Sequence, residues 1–179
     1  MELAIIKFFG QLGAGWIDPV TIFISSNILL GILGIIITAY FLIWDKKNGK
    51  RIAIAAAIAV GLHFLISEGF FKYFLPEFDL FRLRPYLAHP GELIGLGKLN
   101  TSASFPSSHM AYILSLSTIY AYYYRKFLLP AAVFALFMAF ARIHNSMHYP
   151  SDVLAGAILG ALYGIAAIKI SKKYVKKDI

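Results

Sequence analysis

Three short clusters hold the side chains of this sequence best suited to phosphate chemistry. They are Phe81-Arg82-Leu83-Arg84-Pro85, then Pro106-Ser107-Ser108-His109, then Arg142 followed by His148-Tyr149-Pro150-Ser151-Asp152. Arg84 and Arg142 are permanent cations whose planar donor forks match phosphate oxygens. Ser107 and Ser108 stand where a helix begins, and there unpaired backbone N–H groups and the positive end of the helix dipole favour an anion. Together the four outline a phosphate cradle. His148 precedes a Tyr-Pro pair, so the following helix is expected to start near Pro150, with Asp152 in its first turn and within reach of the imidazole. A carboxylate bonded to one ring nitrogen fixes the tautomer and leaves the other nitrogen as a nucleophile. His109, on a different helix, can give a proton to a leaving oxygen and later take one from water.

Plainer roles compete with these. A single histidine near a helix start is more commonly a hydrogen-bonded packing residue than a catalyst. The spacing of His144, His148 and Asp152 also fits a metal site. Two obligate cations converging nearby repel a divalent ion and attract an anion, so no metal and no cofactor are expected. His63 and Glu68 fall inside an apolar stretch as candidate buried hydrogen-bonding groups with no assigned role, and His89 reads as a solvated loop residue. Cysteine is absent, which removes thiol catalysis and thiolate metal sites.

The elements that must position these residues are dictated by composition. Of 179 residues, 59% are hydrophobic and only 15% charged, too few charges to cover a soluble domain of this size. Mean hydropathy is +0.70, and disorder, collagen and coiled coil are excluded. The expected fold is therefore all-α, one integral membrane helical bundle covering residues 1–179. Five stretches approach the roughly 20 apolar residues that a span needs: 28–44, 52–71, 106–124, 127–143 and 150–168. Residues 72–105 form a long loop between spans. Residues 1–27 read as an interfacial or re-entrant helical segment, with Asp18 as a cap and Pro19 in the first turn of a helix. A signal peptide is not expected, because Glu2 stands where positive charge should be.

Five spans sort the charges by side. One side holds 11 basic residues, including Lys46, Lys47, Lys50, Arg51, Arg125, Lys126, Lys176 and Lys177, against Asp45 and Asp178; the other holds 6 basic against 7 acidic. The net charge of +8 thus divides into +9 and −1. By the positive-inside rule the first side is cytoplasmic, and all three clusters face outward. The basic residues read as orientation and anionic-lipid contact, not as a nucleic-acid surface. Gly156, Gly160 and Gly164 recur every four residues on the last span, a close-packing ridge whose continuation reaches Asp152.

The order and spacing of Arg84-Pro85, Pro106-Ser107-Ser108-His109 and Arg142, with five residues before His148 and three more before Asp152, resemble the signature motifs of the type 2 phosphatidic acid phosphatase superfamily. That superfamily includes lipid phosphate phosphatases, polyprenyl diphosphate phosphatases and soluble vanadium haloperoxidases. The resemblance implies metal-independent phosphoryl transfer through a phosphohistidine on His148, with His109 as acid then base. It also implies that Asp152 orients His148 and that the arginines and motif serines bind phosphate. Three positions depart from the pattern. The first-motif lysine position is occupied by Glu77; Lys72 is the nearest upstream lysine, and Arg82 or Lys98 are the alternatives for its role. Ser108 replaces the usual Gly, and Ala141 the usual Ser.

The expected function is a membrane lipid phosphatase, first of all for a polyprenyl diphosphate. Phosphatidylglycerol phosphate, lipid A and phosphatidic acid are the other candidate substrates. Nothing in the residues separates water from an alcohol as the phosphoryl acceptor, or fixes the oligomeric state. A non-catalytic lipid binder or transporter is the rival class. A transporter should show internal repeats and polar residues at mid-bilayer, and this chain shows its polar cluster at span ends. The apolar composition disfavours a haloperoxidase.

Overall fold

The computed structural model describes residues 1–174, and every regular element among them is helical. Two short helices, α1 (Glu2–Gln11) and α2 (Asp18–Ile24), are joined by a turn in which Gly13 and Gly15 take positive φ. At 1.5 Å per residue they are about 15 and 10 Å long, too short to cross a bilayer. Both lie against the later helix Leu128–His144, and Ile6 is fully buried there beside Met138 and Ile143. Pro19 sits in the first turn of α2 as expected. Asp18 does not cap that helix: its carboxylate accepts from Gly15 N at 3.0 Å and from His144 at 2.8 Å.

Helix α3 (Asn27–Trp44) is capped by Ser26 and ends at Asp45, whose carboxylate accepts the amides of Lys47 and Asn48 and the hydroxyl of Tyr124. Helix α4 (Gly49–Leu62) runs without a break into a π-helical segment, His63–Phe74, and a final 3₁₀ turn, Leu75–Phe78. The widened turn of the π segment changes which side chains face inward. His63, Ser67 and Lys72 are buried at intervals of four and five residues. The rod therefore extends past the expected end at residue 71 and takes 72–78 out of the loop.

The remaining loop contains one helical turn, α5 (Pro85–Ala88), and leads to α6 (Ser108–Tyr123). A 3₁₀ turn, Arg125–Phe127, connects to α7 (Leu128–His144); the buried segment 145–149 connects α7 to α8 (Pro150–Tyr174). The tail residues Lys176, Lys177 and Asp178, counted above among the charges, lie outside the described residues.

Four of these elements are long and apolar enough to span a membrane: Asn27–Trp44, Gly49–Phe78, Arg125–His144 and Pro150–Tyr174. Their outer faces carry exposed Ile28, Ile35, Leu136 and Leu154, the reverse of a soluble protein and the pattern lipid requires. The fifth expected span, α6, is 16 residues, about 24 Å. It is the central helix, touching α3, α4, α7 and α8, so protein and not lipid surrounds it.

The α6–α8 contact is the most extensive in the bundle, and the glycine ridge explains it. A Cβ at Gly156 would stand 2.3 Å from Ser107 O, at Gly160 2.4 Å from Ala111 O, and at Gly164 2.7 Å from Ser115 O. The two backbones touch, and Ser107 N donates to Asp152 O at 3.0 Å, tying the starts of both helices together. Gly160→Ala should cost about 1–3 kcal/mol by overpacking against an immobile carbonyl, outweighing the roughly 1 kcal/mol of helix propensity gained. Gly61→Ala, with nothing within 4 Å, should be neutral or stabilising. Thermal unfolding of the two variants in detergent compares them directly; equal Tm values would contradict the close-packing account.

Candidate active site

The polar residues of the three clusters meet where α6 and α8 begin and α7 ends. His148 lies in the 145–149 segment and is 1% exposed. Its Nδ1 is 2.8 Å from Ser104 O. A carbonyl only accepts, so the proton is on Nδ1 and Nε2 is bare. An Arg84 NH1 group donates toward that Nε2 at 3.4 Å. Burial first, and then the nearby cations Arg142, Arg84 and Lys72, with His109 beside them, hold the His148 pKa well below the ordinary histidine value. The imidazole is thus neutral, with its free lone pair facing positive charge.

Asp152 is fully buried one turn into α8. The expected hydrogen bond to His148 is not made: Oδ2 stands 3.9 Å from Nδ1. That oxygen accepts instead from Ser104 Oγ at 2.6 Å and from Tyr149 N at 2.9 Å, while Oδ1 accepts from Arg82 at 3.0 Å. Three donors thus hold the carboxylate, and the tautomer of His148 is set by the Ser104 carbonyl. Ser104 lies just before the second motif, and sequence reasoning passed over it because a backbone carbonyl has no residue signature. Its side chain, in a serine-rich Ser102-Ala103-Ser104 stretch, was the available signal.

Arg84 is 2% exposed and anchored by its other donors: Nε to Ser102 O at 3.0 Å, NH2 to Ser102 Oγ at 3.1 Å, and NH1 to Met147 O at 3.1 Å. Arg142, 7% exposed in the last turn of α7, has a buried Nε with no partner. Ser107 Oγ at the head of α6 is likewise buried and unpartnered. A buried donor left unpaired costs about 1–3 kcal/mol, more on a charged group, and an anion seated there removes that cost.

Lys72 reaches the same place: Nζ bonds to Glu68 at 3.2 Å and to the Ser108 hydroxyl, which itself donates to Glu68. The π-helical widening turns Lys72 inward, an effect invisible to a motif spacing counted along the chain. Glu68, given no role above, is the carboxylate partner in this set. Of the two alternatives to Lys72, Arg82 is bound to Glu2, Ser151 and Asp152, and Lys98 is exposed on the loop. His109 donates from Nε2 to Ser25 O at 2.8 Å, which leaves Nδ1 as its exchangeable nitrogen.

His144 is separate from this group. Its two nitrogens contact Phe9 O and Asp18 at 2.8 Å each, tying α7 to the N-terminal segment. Among the described residues no three His, Asp, Glu or Cys side chains converge as metal ligands. His63 is buried beside Tyr112, its Nδ1 unpartnered, and His89 is half-buried after α5.

The sequence model of the PAP2 superfamily matches residues 50–176. The chain belongs to this superfamily. Undecaprenyl-diphosphatase BcrC of Bacillus subtilis (strain 168) is 27% identical over 158 residues, 87% of this chain and 75% of that protein. A putative undecaprenyl-diphosphatase, YbjG of Escherichia coli (strain K12), is 26% identical over 159 residues, covering 86% and 73%. Among solved structures, Aquifex aeolicus LpxE superposes with a TM-score of 0.69 at 21% identity over 94% of both chains. A transmembrane PAP2-type phosphatidylglycerolphosphate phosphatase from Bacillus subtilis gives 0.72 at 21% identity, covering 99% of this chain and 87% of that one. These two likenesses show the fold, an all-helical bundle; with the superfamily match and the four apolar spans among the described residues, the chain is a multi-pass membrane protein.

The hydrogen-bond inventory separates two serines three residues apart. Ser104→Ala removes a donor from the buried Asp152 carboxylate and should cost about 1–3 kcal/mol. Ser107→Ala removes a hydroxyl that has no partner, so the ligand-free protein should lose nothing, while the stabilisation given by inorganic phosphate shrinks. Thermal unfolding with and without phosphate reads both, and equal destabilisation by the two changes would contradict the assignment.

Proposed function

We propose that this protein is a polyprenyl diphosphate phosphatase that works through a phosphohistidine on His148, the whole chain forming one catalytic unit. The observation that carries the reading is the pair of unpartnered buried donors, Arg142 Nε and Ser107 Oγ, in a site whose histidine has a bare, buried Nε2. A phosphoryl group satisfies those donors and offers phosphorus to that nitrogen. The relatives named as undecaprenyl-diphosphatases support a prenyl diphosphate over other lipid phosphates.

In this mechanism Arg84, Arg142, Lys72, Ser107 and Ser108 hold the terminal phosphate. His148 Nε2 attacks its phosphorus, forming the N–P bond as the bond to the bridging oxygen breaks. His109, fixed through Nε2 to Ser25 O, takes up a proton on Nδ1 from solvent when the anionic diphosphate enters, and passes that proton to the leaving prenyl phosphate. It then takes one from the water that splits phosphohistidine and releases inorganic phosphate. Asp152 keeps a negative charge close to the imidazole when the ring becomes positive. Among the described residues, nine basic against one acidic at the opposite end of the spans supports placing the site on the extracytoplasmic face of the cell membrane.

The assay offers purified protein with EDTA a polyprenyl diphosphate, phosphatidylglycerol phosphate, lipid A and phosphatidic acid. Phosphate release should be fastest from the diphosphate and fall by three or more orders of magnitude in His148→Ala, roughly the scale of losing a covalent nucleophile. Full activity in that variant, or abolition by EDTA, would overturn the mechanism. The sign of the histidine shift gives a second test. A depressed pKa keeps His148 neutral as pH falls through 6.5, the ordinary value. Nitrogen-15 NMR of the free protein should therefore show the Nδ1–H neutral tautomer persisting below pH 6.5; an imidazolium at pH 7 would contradict it.

A further inference from the structure

Helix α2 lies outside the 50–176 stretch that defines the superfamily match, yet its polar atoms reach the elements that carry both site histidines. Thr21 is the one fully buried residue of this helix, a hydroxyl among the exposed Val20, Ile22 and Phe23. A buried hydroxyl needs a partner. Thr21 Oγ1 donates to Asn145 Oδ1 at 2.7 Å and also stands 2.9 Å from Asp18 O. Asn145 is itself buried, three residues before His148 in the same connecting segment. One turn further along α2, Ser25 closes the helix, where the last carbonyls have no donors within it. Ser25 O accepts the Nε2 proton of His109 at 2.8 Å, and Ser25 N donates to Thr21 O at 3.2 Å. A continuous run of hydrogen bonds therefore leads from the His109 ring, through one turn of α2, to the segment that holds His148.

The helix is seated at both ends. Asp18 accepts from His144 in the last turn of α7 at 2.8 Å, and Ser25 Oγ rests 4.0 Å from Met138 Sδ on the same helix. We propose that Thr21 is a positioning residue for phosphoryl transfer: by pinning α2 to Asn145 it fixes the Ser25 carbonyl, and with it the His109 ring, relative to His148. The carbonyl keeps a proton on Nε2 of His109, so that Nδ1 is the nitrogen offered to the substrate. An acid must stand within hydrogen-bond reach of the oxygen it protonates while the nucleophile stands in line with phosphorus. Through α2 these two requirements share one support, although the two histidines lie on different elements. The catalytic part of this inference rests on the phosphohistidine reading, whereas the effect on the His109 tautomer does not.

The test takes two readings on Thr21→Val, which keeps the shape and removes the hydroxyl, on Thr21→Ser, which keeps the hydroxyl, and on Asp18→Ala. The first is nitrogen-15 NMR of His109 in the free protein at alkaline pH, where the ring is neutral. The wild-type protein should show the Nε2–H tautomer, Thr21→Val a mixture of both tautomers, and Thr21→Ser the wild-type form. The second is kcat/KM, which covers the steps up to departure of the leaving group, for a prenyl diphosphate and for dinitrophenyl phosphate. The dinitrophenolate leaves without a proton, so the second substrate does not need a well-placed acid. Thr21→Val should lower kcat/KM for the prenyl diphosphate about tenfold to a hundredfold, the scale of misplacing a reacting group by about 1 Å. The loss on dinitrophenyl phosphate should be severalfold at most, and Thr21→Ser should recover most of the activity on both. Asp18→Ala alters a side chain 25% exposed at the other end of α2, and should give the same pattern at smaller size.

An unchanged His109 tautomer in Thr21→Val would overturn the proposal. So would an equal loss on the two substrates, or a Thr21→Ser variant no better than Thr21→Val, since either makes α2 a buttress and nothing more. If Thr21→Val does not fold, Asp18→Ala decides by the same two readings, and wild-type behaviour in both overturns the proposal. If His148→Ala proves fully active, the phosphohistidine reading fails, and the tautomer of His109 still decides whether α2 holds that ring.

Discussion

Positive charge gathered inside an apolar bundle has to be matched, and here three cations crowd one buried imidazole. Lys72, Arg84 and Arg142 are all at most 7% exposed. Glu68 answers Lys72, but Arg142 keeps an unpaired Nε, and Arg84 is met by carbonyls, a serine hydroxyl and the bare nitrogen of His148. The cost of this arrangement is carried by the scaffold around it. The glycine ridge of α8 presses its backbone onto α6, the carbonyl of Arg142 accepts both Met147 N and His148 N, and Arg84 closes onto the Met147 carbonyl. A site deficient in negative charge and short of hydrogen-bond acceptors suits an anion, and in the proposed function the phosphoryl group of the substrate is that anion.

The same constraint explains why His148 is held by a carbonyl and not by a carboxylate. Amid three cations, a neutral His148 with its proton on Nδ1 is the form that both burial and charge favour. The Ser104 carbonyl enforces that tautomer without adding negative charge. Asp152 remains one step away, its oxygens committed to Ser104, Tyr149 and Arg82, so it shapes the loop without claiming the proton.

Much of this was legible in the sequence because the decisive residues are of types that an apolar chain rarely spends at span ends. Arg84, Arg142, His109, His148 and the Ser107-Ser108 pair were marked by type and spacing alone, and the glycine period announced the α6–α8 contact. Lys72 was harder: a π-helical stretch rotates side chains by an amount that neither helical periodicity nor motif spacing contains. The Asp152–His148 bond is expected because a helix starting near Pro150 carries Asp152 in its first turn, within reach of His148. The structure keeps the two 3.9 Å apart, the carboxylate taken by Ser104, Tyr149 and Arg82. Ser104, Glu2 and Ser25 act through backbone atoms or across long sequence separations, so local pattern could not reveal them. The N-terminal segment likewise read only as too short to span. Its role in buttressing α7 through His144 and α8 through Glu2 comes from tertiary contact.

The central claim is that the bare Nε2 of His148 takes the phosphoryl group. Rapid acid-free quenching during turnover of a prenyl diphosphate, followed by mass spectrometry of the denatured protein, measures that directly. The account predicts one phosphate, acid-labile and base-stable, on His148, and none on His109, His144 or the motif serines. Turnover with no phosphate on His148, or with the label on another residue, would contradict it.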